Sequence, residues 1–171
     1  MGLALYAGPI GAKGETFYGS AGFTGWPGPV WLLPRTGQAL TAIPDTLQTA
    51  LQASNGWTLD NAGNGGRFVA GESGLVEAHA SFTVARPPAV SLDAKALFNF
   101  AAGAGIVTGS QQSKRLNIID CDDVVTLAGV FPVFAGQTVG VVGGSDAAVA
   151  GSGLSINLLG YTLVARFVQV L

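Results

Sequence analysis

Few side chains in this sequence of 171 residues have the chemistry of a reactive site. The densest acidic group is Asp120-Cys121-Asp122-Asp123, whose three carboxylates have the oxygen chemistry that Ca²⁺ prefers. In an extended segment, alternation places Asp120 and Asp122 on one side. The same residues also suit a solvated turn between strands, which we favour. Asp120, Asp122 and Asp123 are therefore weak candidate metal ligands, and we predict no cofactor.

His79 is the only histidine, and Cys121 is the only cysteine. One histidine and one cysteine do not complete a zinc ligand set. Alternation places His79 on the polar side of a strand, which predicts a surface or interface residue. Because histidine titrates near neutral pH, such an interface would be sensitive to pH. Cys121 has no partner for an internal disulfide, and we expect it to be a small apolar side chain rather than a nucleophile.

No segment matches the pattern of an enzyme active site. Residues 60–65, DNAGNG, partly resemble a calcium loop but lack an acid at the third position and the glutamate at the twelfth. The sequence contains no Ser-His-Asp order, no phosphate-binding loop and no CxxC pair. Its ten acidic residues give no reason to select a glycosidase pair. We predict that the protein is not an enzyme.

The composition is poor in charge and rich in glycine. Charged residues make up 11% of the chain, and 26 residues are glycine, whereas an ordinary soluble domain has about 25% charged residues. A membrane protein would explain this, but no uninterrupted apolar run reaches the roughly 18 residues of a membrane helix. Obligate protein interfaces are also depleted in charge. We therefore predict a surface largely covered by partner subunits and no membrane insertion.

The distribution of charge argues against nucleic-acid binding. The net charge is −2, and Lys114-Arg115 is the only adjacent basic pair, whereas a nucleic-acid surface needs a concentrated basic face. Residues 1–6 have neither the basic region nor the apolar core of a signal peptide. We expect the protein to be made and assembled in a cytoplasm.

The first 37 residues differ from the remainder of the chain. Glycines recur every third residue in two short runs, but the register breaks between Gly14 and Gly19, so a collagen helix is not expected. The segment predicts an extended arm over residues 1–37 without regular structure, followed by one domain over residues 38–171. Aromatic side chains would hold this arm against its own domain or a neighbour. The predicted interface residues are Tyr6, Phe17, Tyr18, Phe23, Trp26 and Trp31.

Residues 45–53 fit two kinds of secondary structure. Leu40, Ile43, Leu47 and Leu51 are three to four positions apart, as in a helix, and Asp45 follows a proline as in a first turn. The alternation of polar and apolar residues over the same segment fits a strand nearly as well.

Residues 75–84 have the clearest strand pattern. Apolar residues alternate with polar ones over the whole segment, which is typical of an antiparallel strand with one buried face. The apolar side comprises Val76, Ala78, Ala80, Phe82 and Val84, and the polar side comprises Glu77, His79, Ser81 and Thr83.

Short strands bounded by turn residues continue to the end of the sequence. Their spacing, without a helical pattern between them, predicts an all-β antiparallel jelly-roll sandwich of about 8–10 strands. The last strand should be central and well paired. Beyond 75–84, the predicted strands cover 57–59, 67–70, 95–101, 116–119, 124–133, 138–142, 154–159 and 163–170.

Several of these segments resemble a known superfamily. Residues 68–82, FVAGESGLVEAHASF, and residues 130–141, VFPVFAGQTVGV, resemble the strand and turn signatures of the tumour-necrosis-factor and complement-globular-head jelly rolls. Residues 155–158 and 161–170 resemble the last two strands, and the likeness extends over about 57–171. Family members usually have a tyrosine after the first signature's glycine, where this chain has Leu75-Val76.

The resemblance implies a three-fold trimer. The same architecture serves in bacteriophage particles as capsid decoration (cement) proteins and as fibre tips, and the small, uncharged composition is similar to that of phage virion proteins. We therefore expect a trimeric head decoration protein on the capsid surface, with the major capsid protein and neighbouring decoration trimers as partners. A receptor-binding tip of a tail fibre or spike is the alternative, and a secreted enzyme or signalling ligand ranks third.

Overall fold

A computed structural model describes residues 16–22, 30–35, 38–44, 50–51, 56–60, 67–85, 95–115, 122–146 and 154–170. Within these ranges no helix is long and apolar enough to cross a membrane. The described residues form thirteen strands: β1 (Thr16–Gly22), β2 (Val30–Leu33), β3 (Thr41–Ala42), β4 (Ala50–Leu51), β5 (Trp57–Leu59), β6 (Phe68–Ala70), β7 (Gly74–Ala85), β8 (Lys95–Ala102), β9 (Gly105–Ile106), β10 (Gln112–Arg115), β11 (Asp122–Val133), β12 (Thr138–Ser145) and β13 (Leu154–Val170).

The strands form two antiparallel sheets. Sheet A has the order β11-β7-β13-β1-β4, with β2 also paired to β13. Sheet B has the order β10-β8-β12-β6-β5, with β3 paired to β12 and β9 paired to β8. Neighbours in each sheet are mostly distant in sequence, so the chain passes repeatedly between the sheets. The predicted all-β sandwich is confirmed.

Strand β7 lies inside sheet A and follows the predicted alternation. Its apolar positions, from Val76 to Val84, are at most 2% exposed, while the polar positions between them face away from the core. β7 pairs with β11 on one side and with β13 on the other. The buried face is thus fixed by the period of two, because a slip of one residue would bring Glu77 and His79 into the core.

Strand β13 is one long strand, whereas the sequence predicted two shorter ones over 154–159 and 163–170. The register against β7 shifts between Leu158 and Gly160, which is the signature of a β-bulge. The bulge changes the parity of the strand, so that Leu158 before it and Tyr161 after it both face the core. Gly160 resembles a turn residue in the sequence, but here it lies within a continuous strand.

The predicted arm over residues 1–37 forms strands of sheet A wherever it is described. β1 pairs with β13 over 160–166, and β2 pairs with the preceding part of β13. The prediction of an arm without regular structure is therefore wrong for β1 and β2. The alternation in β2 explains the difference, since Trp31 and Leu33 are buried while their neighbours are exposed.

Gly143 of β12 makes room for the side chains of β2. A Cβ atom at Gly143 would lie 2.6 Å from Leu33 Cδ2 and 2.8 Å from Trp31 Cζ2. The indole nitrogen of Trp31 donates a hydrogen bond to Thr41 Oγ1 at 3.1 Å. Trp31 is therefore a core residue of its own domain rather than a residue of an interface between chains.

Two other predicted segments lie largely outside the described residues. Of 45–53, only the two residues of β4 are described, and they form a strand paired with β1. Residues 116–119, predicted as a strand, are not among the described residues. The strand β10 lies just before them and pairs with β8.

Aromatic side chains join the two sheets. Phe98 of sheet B lies 5.5 Å from Trp31 and 4.9 Å from Phe82, both of sheet A, measured between ring centroids. Phe100 of sheet B lies 5.6 Å from Phe131 of β11. Tilted and edge-to-face pairs of this kind stabilise a core beyond the area that they bury. The sandwich thus has one continuous core, and residues of the predicted arm belong to it.

We predict that Trp31→Ala lowers the free energy of unfolding by about 3–5 kcal/mol, because it leaves a large cavity between the sheets. Urea denaturation followed by circular dichroism, at fixed protein concentration, measures the change. Gln112→Ala is the control, since Gln112 is exposed on β10. A loss for Trp31→Ala as small as that of the control would contradict the placement of β2 in the core.

Candidate interaction surface

The side chains of sheet A that point away from the core form one surface, which we call the outer face of sheet A. It results from alternation, because every second residue of β2, β7, β11 and β13 must face away from sheet B. The members with described side chains include Val30, Leu32, Leu75, Glu77, His79, Ser81, Thr83, Val124, Thr126, Ala128, Val130, Pro132, Ser155, Thr162, Val164, Arg166 and Gln169.

This face carries most of the exposed apolar surface of the described chain. Of seven large apolar side chains that are exposed, five lie on it and Phe134 follows directly after β11. Val130 is 56% exposed and Val124 is 57% exposed. The remaining one, Ile106, belongs to sheet B. A concentration of exposed apolar residues on one face is typical of an interaction surface.

The charged side chains described on the outer face neutralise one another. Arg166 Nε donates a hydrogen bond to Glu77 Oε2 at 2.6 Å, and His79 Nε2 lies 3.2 Å from Glu77 Oε1. Glu77 is directly opposite Arg166 on β13 and directly opposite Val130 on β11. The face therefore has a compact, neutral charged centre, and the residues around it are uncharged, partly apolar as Val130 and Val164 are and partly Ser and Thr.

The hydrogen bonds to Glu77 lower the pKa of its carboxyl group. His79 is the larger cause, and Arg166 is the next. Both partners favour the charged carboxylate, which is the usual effect of donors and positive charge beside an acid. Glu77 thus stays ionised into acidic solution, and its charge remains balanced by Arg166.

A solved structure has a similar arrangement of the two sheets. Eiger TNF from S. frugiperda superposes with a TM-score of 0.58, over 91% of this chain and 93% of that chain. The chain has a tumour-necrosis-factor-like fold. The sequences are 12% identical, so the likeness concerns the fold alone. No protein-family model matches the sequence, and the search of curated proteins returned no match.

Of the six predicted aromatic interface residues, Trp31 is the one whose side chain the structure describes. Trp31 lies in the core of the tumour-necrosis-factor-like fold, at 1% exposure. Phe17 and Tyr18 are on β1, where their backbones pair with Ala165 and Val164 of β13. The other three predicted residues, Tyr6, Phe23 and Trp26, lie outside the described residues.

The weak metal candidates are only partly described. The Asp123 carboxylate accepts a hydrogen bond from Lys114 Nζ at 2.6 Å, so this acid has a basic partner on β10. Asp122 pairs through its backbone with Ala85, and Asp120 lies outside the described ranges together with Cys121. Where side chains are described, no group of three or more His, Cys, Asp or Glu residues could hold a metal ion.

Asp60, at the start of the loop that partly resembles a calcium site, also pairs with a basic side chain. Its carboxylate accepts a hydrogen bond from the Arg67 guanidinium at 2.7 Å. Residues 61–66 of that loop are outside the described part of the chain. The described contact explains Asp60 as an ion-pair partner at the end of β5.

Sequence reasoning missed the apolar residues of the outer face. β11 was predicted as a strand, but Val125, Leu127 and Phe131 on one side are as apolar as Val124 and Val130 on the other. Alternation alone therefore did not identify which side faces the core. The pairing of β11 with β7 identifies the outward side, because Val130 lies directly opposite Glu77 and must share its face.

We predict that the Glu77 carboxyl titrates below its ordinary pKa of 4.5. Because the folded pKa is depressed, the contribution of Glu77 to stability is present above about 4.5 and is lost as pH falls through the folded pKa. A carbon-13 NMR titration of the Glu77 carboxyl measures the midpoint. The variants His79→Val and Arg166→Met should each raise this midpoint, because each removes a hydrogen-bond partner of the Glu77 carboxylate. The control variant Ser81→Val should leave the midpoint unchanged. If neither His79→Val nor Arg166→Met changes the midpoint, the described contacts of Glu77 with these two residues are contradicted.

Proposed function

We propose that the protein is a structural subunit that assembles as a homotrimer through the outer face of sheet A and decorates a bacteriophage capsid. The observation that carries the proposal is the exposure of an apolar, electrically neutral face on a chain with only 11% charged residues. Such a face has the composition of a subunit interface, where charged residues are depleted and apolar area is buried. The proposal includes no catalytic step.

The polar centre of the face is compatible with burial. Glu77 has its partners Arg166 and His79 within its own chain, so covering the face would not leave its carboxylate unpaired. A buried charge without a partner is strongly destabilising, whereas a paired and hydrogen-bonded charge is tolerated. Small residues beside the cluster, such as Ser81 and Ala128, would allow a second chain to approach closely.

Three-fold symmetry is supported by the resemblance of residues 68–82 and 130–141 to a superfamily of trimers. A ring of three requires that the outer face of one subunit meet a different surface of the next, because contacts in such rings run head to tail. β11 is the edge strand of sheet A, and Phe134 follows it with 61% exposure. This edge supplies a second apolar surface for the contact.

The capsid is proposed as the site of action because the composition is similar to that of phage virion proteins. In this proposal the N-terminal residues and the seams between subunits contact the major capsid protein and neighbouring trimers. Each square ångström of apolar area buried at these seams contributes roughly 25 cal/mol before the cost of ordering. The function is therefore mechanical, and the trimer would reinforce the shell from its outer surface.

We predict that Val130→Asp abolishes self-association. The new carboxylate would lie beside Glu77 on the outer face, and its burial without a partner should weaken assembly by roughly a hundredfold or more. Native mass spectrometry over a concentration series measures the distribution of masses. Ile106→Asp is the matched control, since Ile106 is 55% exposed but lies on sheet B. Assembly that survives Val130→Asp, or that Ile106→Asp disrupts equally, would contradict the proposed face.

Copy number in the intact particle tests decoration against the alternative of a receptor-binding tip. We predict hundreds of copies per particle, arranged on the head surface, because a cement protein must occupy every equivalent lattice position. Cryo-electron microscopy of the particle, with quantitative mass spectrometry of its proteins, measures both quantities. A few dozen copies at the end of a tail fibre or spike would refute decoration and favour the tip.

A further inference from the structure

A groove runs along the side of sheet B that faces away from the core. Its floor is formed by β8 and β12, and its two adjoining cavities have volumes of about 530 Å³ and 210 Å³. Gln38, Leu40 and Ile106 line both cavities, so the two form one continuous depression. The larger volume lies in the range of small-ligand sites.

Asn99 supplies an unpaired polar group in this groove. Phe98 and Phe100 on either side of it pack in the core, so alternation directs Asn99 away from the core. The residue is 5% exposed and lines the smaller cavity. No hydrogen bond of its amide to any described residue is found. Because Asn99 lines the cavity, its side-chain amide is accessible there to a ligand that offers both a donor and an acceptor.

Arg35 supplies a positive charge at the same end of the groove. It lines the cavity that contains Asn99, and it is exposed without an ion pair to the described residues. Arg67, which lines the larger cavity, differs because Asp60 already neutralises it. Among the described residues, no acidic side chain lines either cavity. The groove is therefore complementary to a negatively charged group near Arg35.

We propose that this groove binds an extended peptide segment of a partner protein that carries an acidic side chain. The amide of Asn99 matches the donor and acceptor of a peptide backbone, Arg35 matches a carboxylate, and Leu40, Leu97 and Ile106 offer apolar contacts to neighbouring side chains. None of the described residues that line the two cavities is aromatic, so they offer no stacking platform for a sugar ring. The groove is on the opposite sheet from the proposed self-association face, so both surfaces can be occupied together.

Selection from a displayed library of random seven-residue peptides on the full-length protein tests the inference. We expect the recovered peptides to be enriched in Asp and Glu, and their affinity to fall about tenfold or more in Asn99→Leu and in Arg35→Gln. Lys95→Gln is the matched control, because it removes a positive charge of sheet B outside the groove. Affinity in this control should stay within about twofold of the unmodified protein.

Two outcomes would overturn the inference. One is a selection in which no group of related peptides is enriched more strongly than in a parallel selection on the Asn99→Leu variant. The other is recovered peptides that bind Asn99→Leu and Arg35→Gln as well as the unmodified protein. Binding of polygalacturonate in place of peptides, lost in Arg35→Gln, would assign the groove to an acidic saccharide and equally refute the proposal. Native mass spectrometry of the same samples measures self-association independently of peptide binding. Failure of the groove proposal can therefore be distinguished from failure of the proposed self-association.

Discussion

Side-chain alternation in sheet A is the constraint on which the rest of the structure depends. Strands β7, β11 and β13 each place one set of side chains against sheet B and the other set outward. Aromatic contacts such as Phe82 with Phe98 hold the inner set in place. Because register fixes both faces at once, the same pairing that builds the core also gathers Val124, Val130 and the Glu77 cluster on the outer face. The core and the proposed interface are thus two results of one arrangement.

The two sheets differ in how far other side chains of the protein cover their outward faces. On sheet B, Arg67 packs over Gly140 and Leu40 packs over Gly144, so much of β12 is covered by the protein's own side chains. On sheet A no described residue covers the outward residues of β11 in this way, and the ionised groups described there balance one another. Under our two proposals, this asymmetry corresponds to different tasks for the two faces. Sheet A offers a broad neutral surface for another subunit, whereas sheet B offers a narrow groove with selected polar groups.

Much of the fold follows from local pattern, and much of the candidate site does not. The alternation over 75–84 sufficed to predict β7 and its buried face, and the turn signatures after residue 68 sufficed for the jelly-roll class. β2 was missed because its four residues lie among prolines and glycines, which obscure a short alternation. The single strand β13 was missed because Gly160 resembles a turn, and only pairing with β7 shows the bulge. The outer face depends on which strands become neighbours, and the local pattern of residues within each strand does not reveal its neighbours.

The structure of the assembled, unmodified protein, determined by crystallography or cryo-electron microscopy, would show directly whether the outer face of sheet A is the interface between subunits. The quantity to measure is the solvent exposure of the outer face of sheet A within the assembly. We predict three chains around one axis, with Val130 changing from 56% exposed to buried. An assembly whose subunits meet elsewhere, or a protein that remains a monomer with Val130 still exposed, would contradict it.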